Sequence, residues 1–464
     1  MASRFWIGGT GAWDSSTTTN WSSSSGGTGG ASVPGSSDTV TFDGSSGGGT
    51  VTVNTNFTVT SITMGAFTGT LDFSANNNSP TMTTFSCSGT GTRTLNMGSG
   101  TWTISGNNTT IWDMTTITGL TLNANTSTIN FTYSGSTGNR TLAGAVTLNN
   151  IAVTAGSDAF LPAASMTFNN IDFTGFTGAL STNAFSAIGN VKFGTGMTVQ
   201  TTSNPLTMAA TSGTKTITTN GVTINRALTI DGVGGTFVFA DAYTSTARGI
   251  TINNGALVNS NNVAVSITSL SCNNSNVRTL NMGAATWTIS STGGAWNTGN
   301  ITNLTFVPAT LIEFTDTTNS AITFTGGGLT FNNIYWHRGA STATNTIQSA
   351  NTFLDFKDDG TAAHTIVFPN VTTTVSTFTV SGTSGHLITL SRTGSSGTFT
   401  LTDAGGVISS DYLSISNSTA TNGSWFAGAN STDGGGNTGW IFTVPPSGTA
   451  SPSNPSIPSI PSLA

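Results

Sequence analysis

One short motif recurs along this chain, and its spacing limits the fold more than any other feature. T-L-N-N-I at Thr147–Ile151 is followed twenty residues on by T-F-N-N-I at Thr167–Ile171; T-I-N-N stands at Thr251–Asn254 and T-F-N-N-I at Thr330–Ile334. The flanking residues alternate apolar with Thr, Ser or Asn, as in V-T-V-N-T-N-F-T-V-T from Val51, T-W-T-I-S from Thr101 and T-F-T-V-S from Thr377. Alternation at period two with β-branched and aromatic residues is the signature of strands. A longer repeat lies over the short one. C-S-G-T-G-T-R-T-L-N-M-G-S-G-T-W-T-I-S from Cys87 returns 185 residues later, from Cys272, as C-N-N-S-N-V-R-T-L-N-M-G-A-A-T-W-T-I-S.

Short strands that recur every 20–25 residues predict a single-stranded, right-handed parallel β-helix (β-solenoid). In such a fold no coil can bury its apolar face without a coil above and below it. The Asn pairs suit this reading twice over, because Asn tolerates the left-handed backbone of a sharp corner and its amide can bond the Asn of the next coil. Composition agrees. Only 6% of residues are charged, with 17 acids (one of them Glu, at Glu313) and 11 bases, so amphipathic helices cannot be clothed. A net charge of −6 without a basic run speaks against nucleic acid. Hydrophobic residues make up 35%, including 26 Phe and 10 Trp, which is enough for a core and argues against disorder. No apolar run is long enough to insert into a membrane, and M-A-S-R-F-W-I-G-G lacks the layout of a signal peptide.

The chain divides by composition. Residues 1–49 carry Trp6, Trp13 and Trp21 and read as an N-terminal Trp-rich cap. Residues 50–410 are the coils, with the internal duplication at about 87–131 and 272–314. Residues 411–443 read as a C-terminal closing coil or cap, and 444–464 as a Pro/Ser-rich tail.

The opening W-I-G-G-T-G-A-W-D…N-W-S…V-P…D-T-V-T-F-D-G, the segment G-T-S-G-H-L-I-T-L from Gly382 and the ending D-Y-L-S-I…W-F-A-G-A-N-S-T-D-G-G-G-N-T-G-W-I-F resemble β-helix proteins of tailed-phage virions, the tail fibres and spikes. More distantly they resemble the bacterial surface β-helices of autotransporter passengers. The resemblance implies a structural and adhesive virion component, at an extracellular place of work, that contacts other virion subunits and host-surface glycans. It also implies a homo-oligomer, a trimer by the habit of such fibres. The alternatives are a glycan-depolymerising tailspike enzyme and a bacterial surface or biofilm adhesin. No cofactor is expected.

Candidate chemistry is sparse. Tyr335-Trp336-His337-Arg338 is the most distinctive polar and aromatic patch and a candidate platform for sugars. Alternation puts Ile334 and Trp336 on one face, Tyr335 and His337 on the other; if Trp336 fills a wide coil, His337 is ordinary surface. Glu313 and Asp316 in I-E-F-T-D form a carboxylate pair, but Glu313 aligns with Asn130 of the other copy, so catalysis is not the favoured reading. Lys357-Asp358-Asp359-Gly360 reads as a solvated corner. No His or Cys spacing supports a zinc site, and Cys87 and Cys272 are expected inside as small apolar fillers, unpaired.

Overall fold

The computed structural model describes residues 2–107 and 109–446. Of the expected tail, residues 447–464 lie outside the described residues. Among the described residues regular structure is strand throughout, apart from a three-residue 3-10 turn at Gly44–Ser46. The chain forms two units, Met1–Val263 and Ala264–Ala464. Each is a parallel β-solenoid, and together they contain about 18 turns.

In the first unit Ser3–Trp6 runs antiparallel to Trp21–Ser22 and parallel to Thr39–Phe42. Coils then stack in register: Val40 on Ile62, Ile62 on Phe85, and later Ile129 on Ile151, Ile171, Val191 and Ile217. The repeat is not constant. Ile151 pairs with Ile171, 20 residues on, whereas Leu95 pairs with Leu122, 27 residues on. Coils lengthen at their corners while the strand pattern stays in phase, since a slip of one residue would turn the apolar set outward.

Two of the Asn pairs stack amide on amide, whereas Asn254 donates to Asp231 and Asn332 to the Ala309 carbonyl. Asn169 Nδ2 donates to Asn149 Oδ1 at 3.0 Å, and Asn170 Nδ2 to Asn150 Oδ1 at 2.8 Å. The left-handed corners use other asparagines, among them Asn77, Asn125, Asn220 and Asn303, with φ between 49° and 56°. So the two uses of Asn expected from sequence both occur, at different residues.

In the second unit one ladder runs from Val265–Ile267 through Thr286–Ile289, Leu311–Phe314, Thr330–Trp336, Thr352–Asp358 and Thr372–Val380 to Phe399–Thr402 and Ser418–Thr421. A second ladder joins Gly293–Asn297, Ile322–Thr325, Asn345–Gln348, His364–Phe368, Ile388–Arg392 and Leu413–Ile415. Inward positions stack into columns such as Ile312, Ile334, Phe356 and Phe378. Each is buried, and only the neighbouring coil makes that burial possible.

The duplicated copies share interior contacts. Trp102 Nε1 donates to the Met97 carbonyl at 3.2 Å, and Trp287 Nε1 to that of Met282 at 3.0 Å. The Gly after each Met turns the chain at φ +70° and +69°. At Gly98 a Cβ would also lie 2.9 Å from the Phe73 carbonyl, so both the turn and the approach require Gly. Cys87 and Cys272 are buried and unpaired, as expected. Burial pushes both thiols up, and the adjoining arginines only partly offset this, so they stay protonated and unreactive.

The arginines beside them carry a role that sequence comparison matched without explaining. In R-T-L-N the Arg has the inward parity of the Leu, and Arg93 and Arg278 are both buried. Arg93 donates to the carbonyls of Cys87, Gly91, Thr116 and Thr118. Arg278 donates to those of Cys272, Asn276, Asn300 and Thr302. Each guanidinium therefore ties a corner of its own coil to the corner of the next.

Candidate functional site

The four residues Tyr335–Arg338 stand at the end of the Thr330–Trp336 strand, and alternation splits them. Tyr335 and His337 face outward. Trp336 is fully buried and stacked on Phe314, ring centroids 4.4 Å apart and planes within 14°. Arg338 is also buried; it donates Nε to the Asp316 carbonyl, Nη1 to Asn345 Oδ1 at 2.7 Å and Nη2 to the carbonyls of Thr318 and Ser320. Half of the sequence candidate thus belongs to the interior. Trp336 fills the coil, and Arg338 fastens a corner as Arg93 and Arg278 do.

What remains outside gains partners from neighbouring coils. The parallel register places Glu313, Tyr335, Lys357 and Thr379 side by side on four successive strands, about 4.8 Å apart. The Tyr335 hydroxyl donates to Asp359 Oδ2, and His337 Nδ1 lies 3.0 Å from both that hydroxyl and that carboxylate oxygen. Lys357 Nζ sits 4.2 Å from the centre of the Tyr335 ring, a cation–π contact. Burial, the bond to Asp359 and the nearby charges of Asp359, Glu313 and Asp358 all push the Tyr335 hydroxyl up; it stays a neutral phenol whose proton is committed to Asp359. The cluster is accessible, with the His337 side chain 54% and the Asp359 side chain 36% exposed.

Sequence reading missed Lys357 and Asp359 as members of this group because they lie 22 residues away from their neighbours, one coil on. The step between these two strands is 22 residues, but elsewhere it is as different as 20 and 27, so the sequence offered no fixed period that would have found them. Glu313 joins the same outward row, whereas Asp316 does not pair with it: Asp316 Oδ1 accepts from the Thr318 amide and from Arg338 Nη2.

Of Lys357-Asp358-Asp359-Gly360, expected as a solvated corner, Lys357 and Asp359 do face outward, but Asp358 does not. The strand runs on through Asp358, whose inward parity puts it beside Trp336 and Val380 in the buried column. There it meets His364 Nε2 at 3.0 Å, Asn345 Nδ2 at 3.3 Å and the Gly360 amide at 2.9 Å. His364 Nδ1 faces the Ala362 carbonyl at 2.9 Å. Both ring nitrogens therefore meet acceptors, the pattern of an imidazolium. Burial opposes that charge, but the hydrogen bond and charge of Asp358 outweigh it and raise the His364 pKa.

A pH dependence follows. A raised folded-state pKa contributes stability that is fully present below the unfolded value, near 6.5, and is lost as pH rises through the folded value. The melting temperature of the protein is expected to fall as pH is raised from about 6.5. In His364→Gln that decline should flatten, as a pH series of thermal melts would show. An equally steep decline in the variant would place its origin elsewhere.

Among the described residues no group of three His, Cys, Asp or Glu is arranged to hold a metal ion, and no helix is long and apolar enough to cross a membrane. The chain matches no protein-family model, no curated protein and no solved structure, so its residues carry the functional argument unaided.

Proposed function

We propose that this protein is a structural and adhesive, fibre-like component of a tailed-phage virion that contacts host-surface glycans and other virion subunits, with homo-oligomers, trimers by resemblance, supplying several copies. The observation that carries the reading is the outward cluster of Tyr335, His337, Lys357, Asp359 and Glu313 on an otherwise nearly uncharged coat of hydroxyls and amides. Sugars are bound by aromatic faces together with polar groups that exchange hydrogen bonds with hydroxyls. Here Lys357 covers one face of Tyr335, so a sugar would use the other or displace a lysine on a flexible stem. Weak contacts of this kind gain strength through multiple copies.

Binding of the labelled protein to host cells, or to their capsule and lipopolysaccharide on an array, tests the reading. Tyr335→Ala and His337→Ala are each expected to lower binding at least tenfold while leaving the melting temperature near that of the parent. Undiminished binding by both variants would remove the cluster from the proposal.

The hydrogen-bonded Tyr335, Asp359 and His337, with Glu313 beside them, favour a second reading as a glycan-depolymerising spike, since acid–base groups and paired carboxylates serve glycoside cleavage. Incubation with host capsule or lipopolysaccharide separates the two: shortened chains would overturn the non-enzymatic reading. A bacterial surface or biofilm adhesin would use the same cluster, and coding by a genome without capsid, portal or tail genes would favour it.

A further inference from the structure

Five arginines are buried in the described structure, and four have their charge answered. Arg93, Arg278 and Arg338 are ringed by carbonyl oxygens. Arg140 forms a fork with Asp158, Nε at 3.0 Å and Nη2 at 2.6 Å. Arg226 is the exception. Its side chain is fully buried, its Nη2 donates to the Asn183 carbonyl, and its guanidinium lies 4.7 Å from the centre of the Phe185 ring. Its Nε and Nη1 have no partner.

A second unpartnered donor lies in the next coil. Thr246 donates its amide and its hydroxyl to Asn225 Oδ1, both at 3.1 Å, which seats Thr246 over the neighbour of Arg226, and Tyr243, three residues earlier and buried, is the ionisable group that Arg226 feels. The Tyr243 hydroxyl is buried and unpartnered. Below, Thr202 is in register with Arg226, but its hydroxyl is committed to the Thr182 carbonyl. Ser181 Oγ, two residues from Asn183, is again buried without a partner.

The charge account does not close with protein groups alone. Burial pulls Arg226 down to about 10, so it remains a cation at neutral pH, and the ionisable group it feels is Tyr243. Burial pushes the Tyr243 phenol up, so it remains neutral and cannot be the counter-charge. A buried cation without a counter-ion is costly. Donors without acceptors, set around a positive charge, are what an anion needs.

We propose that the interior of the Met1–Val263 unit holds a small monovalent anion of halide type at Arg226, gripped by Arg226 Nε and Nη1 and by the Tyr243 hydroxyl. The anion neutralises the guanidinium and satisfies three N–H and O–H groups that the fold leaves open. The site is structural, and it is independent of the glycan reading.

Bromide is the probe. Crystals of the full chain grown from sodium bromide are expected to show an anomalous peak within hydrogen-bonding reach of Arg226 and Tyr243. In solution at constant ionic strength, exchanging gluconate for bromide should raise the melting temperature by about 3 °C for each tenfold of bromide above its Kd. That sign opposes the general effect of these salts, because excluded anions, and not bromide, favour burial. Arg226→Met should abolish the dependence, and Tyr243→Phe, which keeps the ring and removes one donor, should weaken it. No peak at Arg226, together with equal melting temperatures in bromide and gluconate, would overturn the proposal. If Arg226→Met does not fold, an unweakened bromide dependence in Tyr243→Phe would overturn it as well.

Discussion

Arg278→Met lowers the stability of the Ala264–Ala464 unit by about 3–5 kcal/mol, and Arg93→Met does the same to the Met1–Val263 unit. The figure is the sum over several carbonyl acceptors left without a donor, at about 1–3 kcal/mol for each one that stays buried. Methionine restores the length of the stem and the apolar contacts, but four carbonyl oxygens from two coils lose their donors: Cys272 and Asn276 on one, Asn300 at 3.1 Å and Thr302 at 2.8 Å on the next. Lysine recovers only part of this, because an ammonium is a point donor and the carbonyls are arranged around a planar fork. Urea titration of each unit's unfolding, read by hydrogen exchange at its strands, would measure it. A loss below about 1 kcal/mol would mean that water takes over the carbonyls. Since the two arginines have matching partners, unequal losses would show that the duplication preserves contacts without preserving their worth.

Trp336→Ala is the second large effect, about 4 kcal/mol by the usual cost of emptying an aromatic site in a core. Its ring is sealed against Phe314 and shares a column with Asp358, so the cavity would also weaken the Asp358–His364 pair. Tyr335→Ala, one residue away, changes stability by about 1 kcal/mol or less, as partly exposed positions do, while carrying the loss of glycan binding. The two variants thus exchange their phenotypes. Melting curves alongside binding at a temperature where both are folded would test this. A folded Trp336→Ala that loses more binding than Tyr335→Ala would mean that the buried ring takes part in recognition, and the outward cluster would have to be redrawn.

Most of the fold was legible from residue pattern. Alternation told which side of most strands is buried, correctly at Tyr335–His337, where Trp336 turns inward between two outward residues, though not at Leu120–Asn123 or Leu304–Val307, which bury neither face fully. The recurring T-x-N-N predicted stacked amides, which Asn149, Asn150, Asn169 and Asn170 form. The site was half legible. Tyr335 and His337 stand out by type, but Lys357 and Asp359 belong with them only through a register that varies from coil to coil. Charge misled where parity should have prevailed, at Asp358, whose position on the strand buries it against the expectation that carboxylates seek water. The same holds for Arg338.

Alternating apolar and hydroxyl residues predicted strands, and their recurrence every 20–25 residues, without reference to any coordinate, predicted that the strands wind in parallel coils, because no single coil can bury its apolar face without a neighbour. The tertiary structure alone decided which residues one coil apart are neighbours, since corner lengths set the register and are not periodic. It alone also decided which buried polar groups find partners. Arg93 and Arg278 meet carbonyls, Asp358 meets His364, and Arg226 is left with open donors. Burial follows from local parity, whereas the satisfaction of a buried charge depends on three coils arriving at one place.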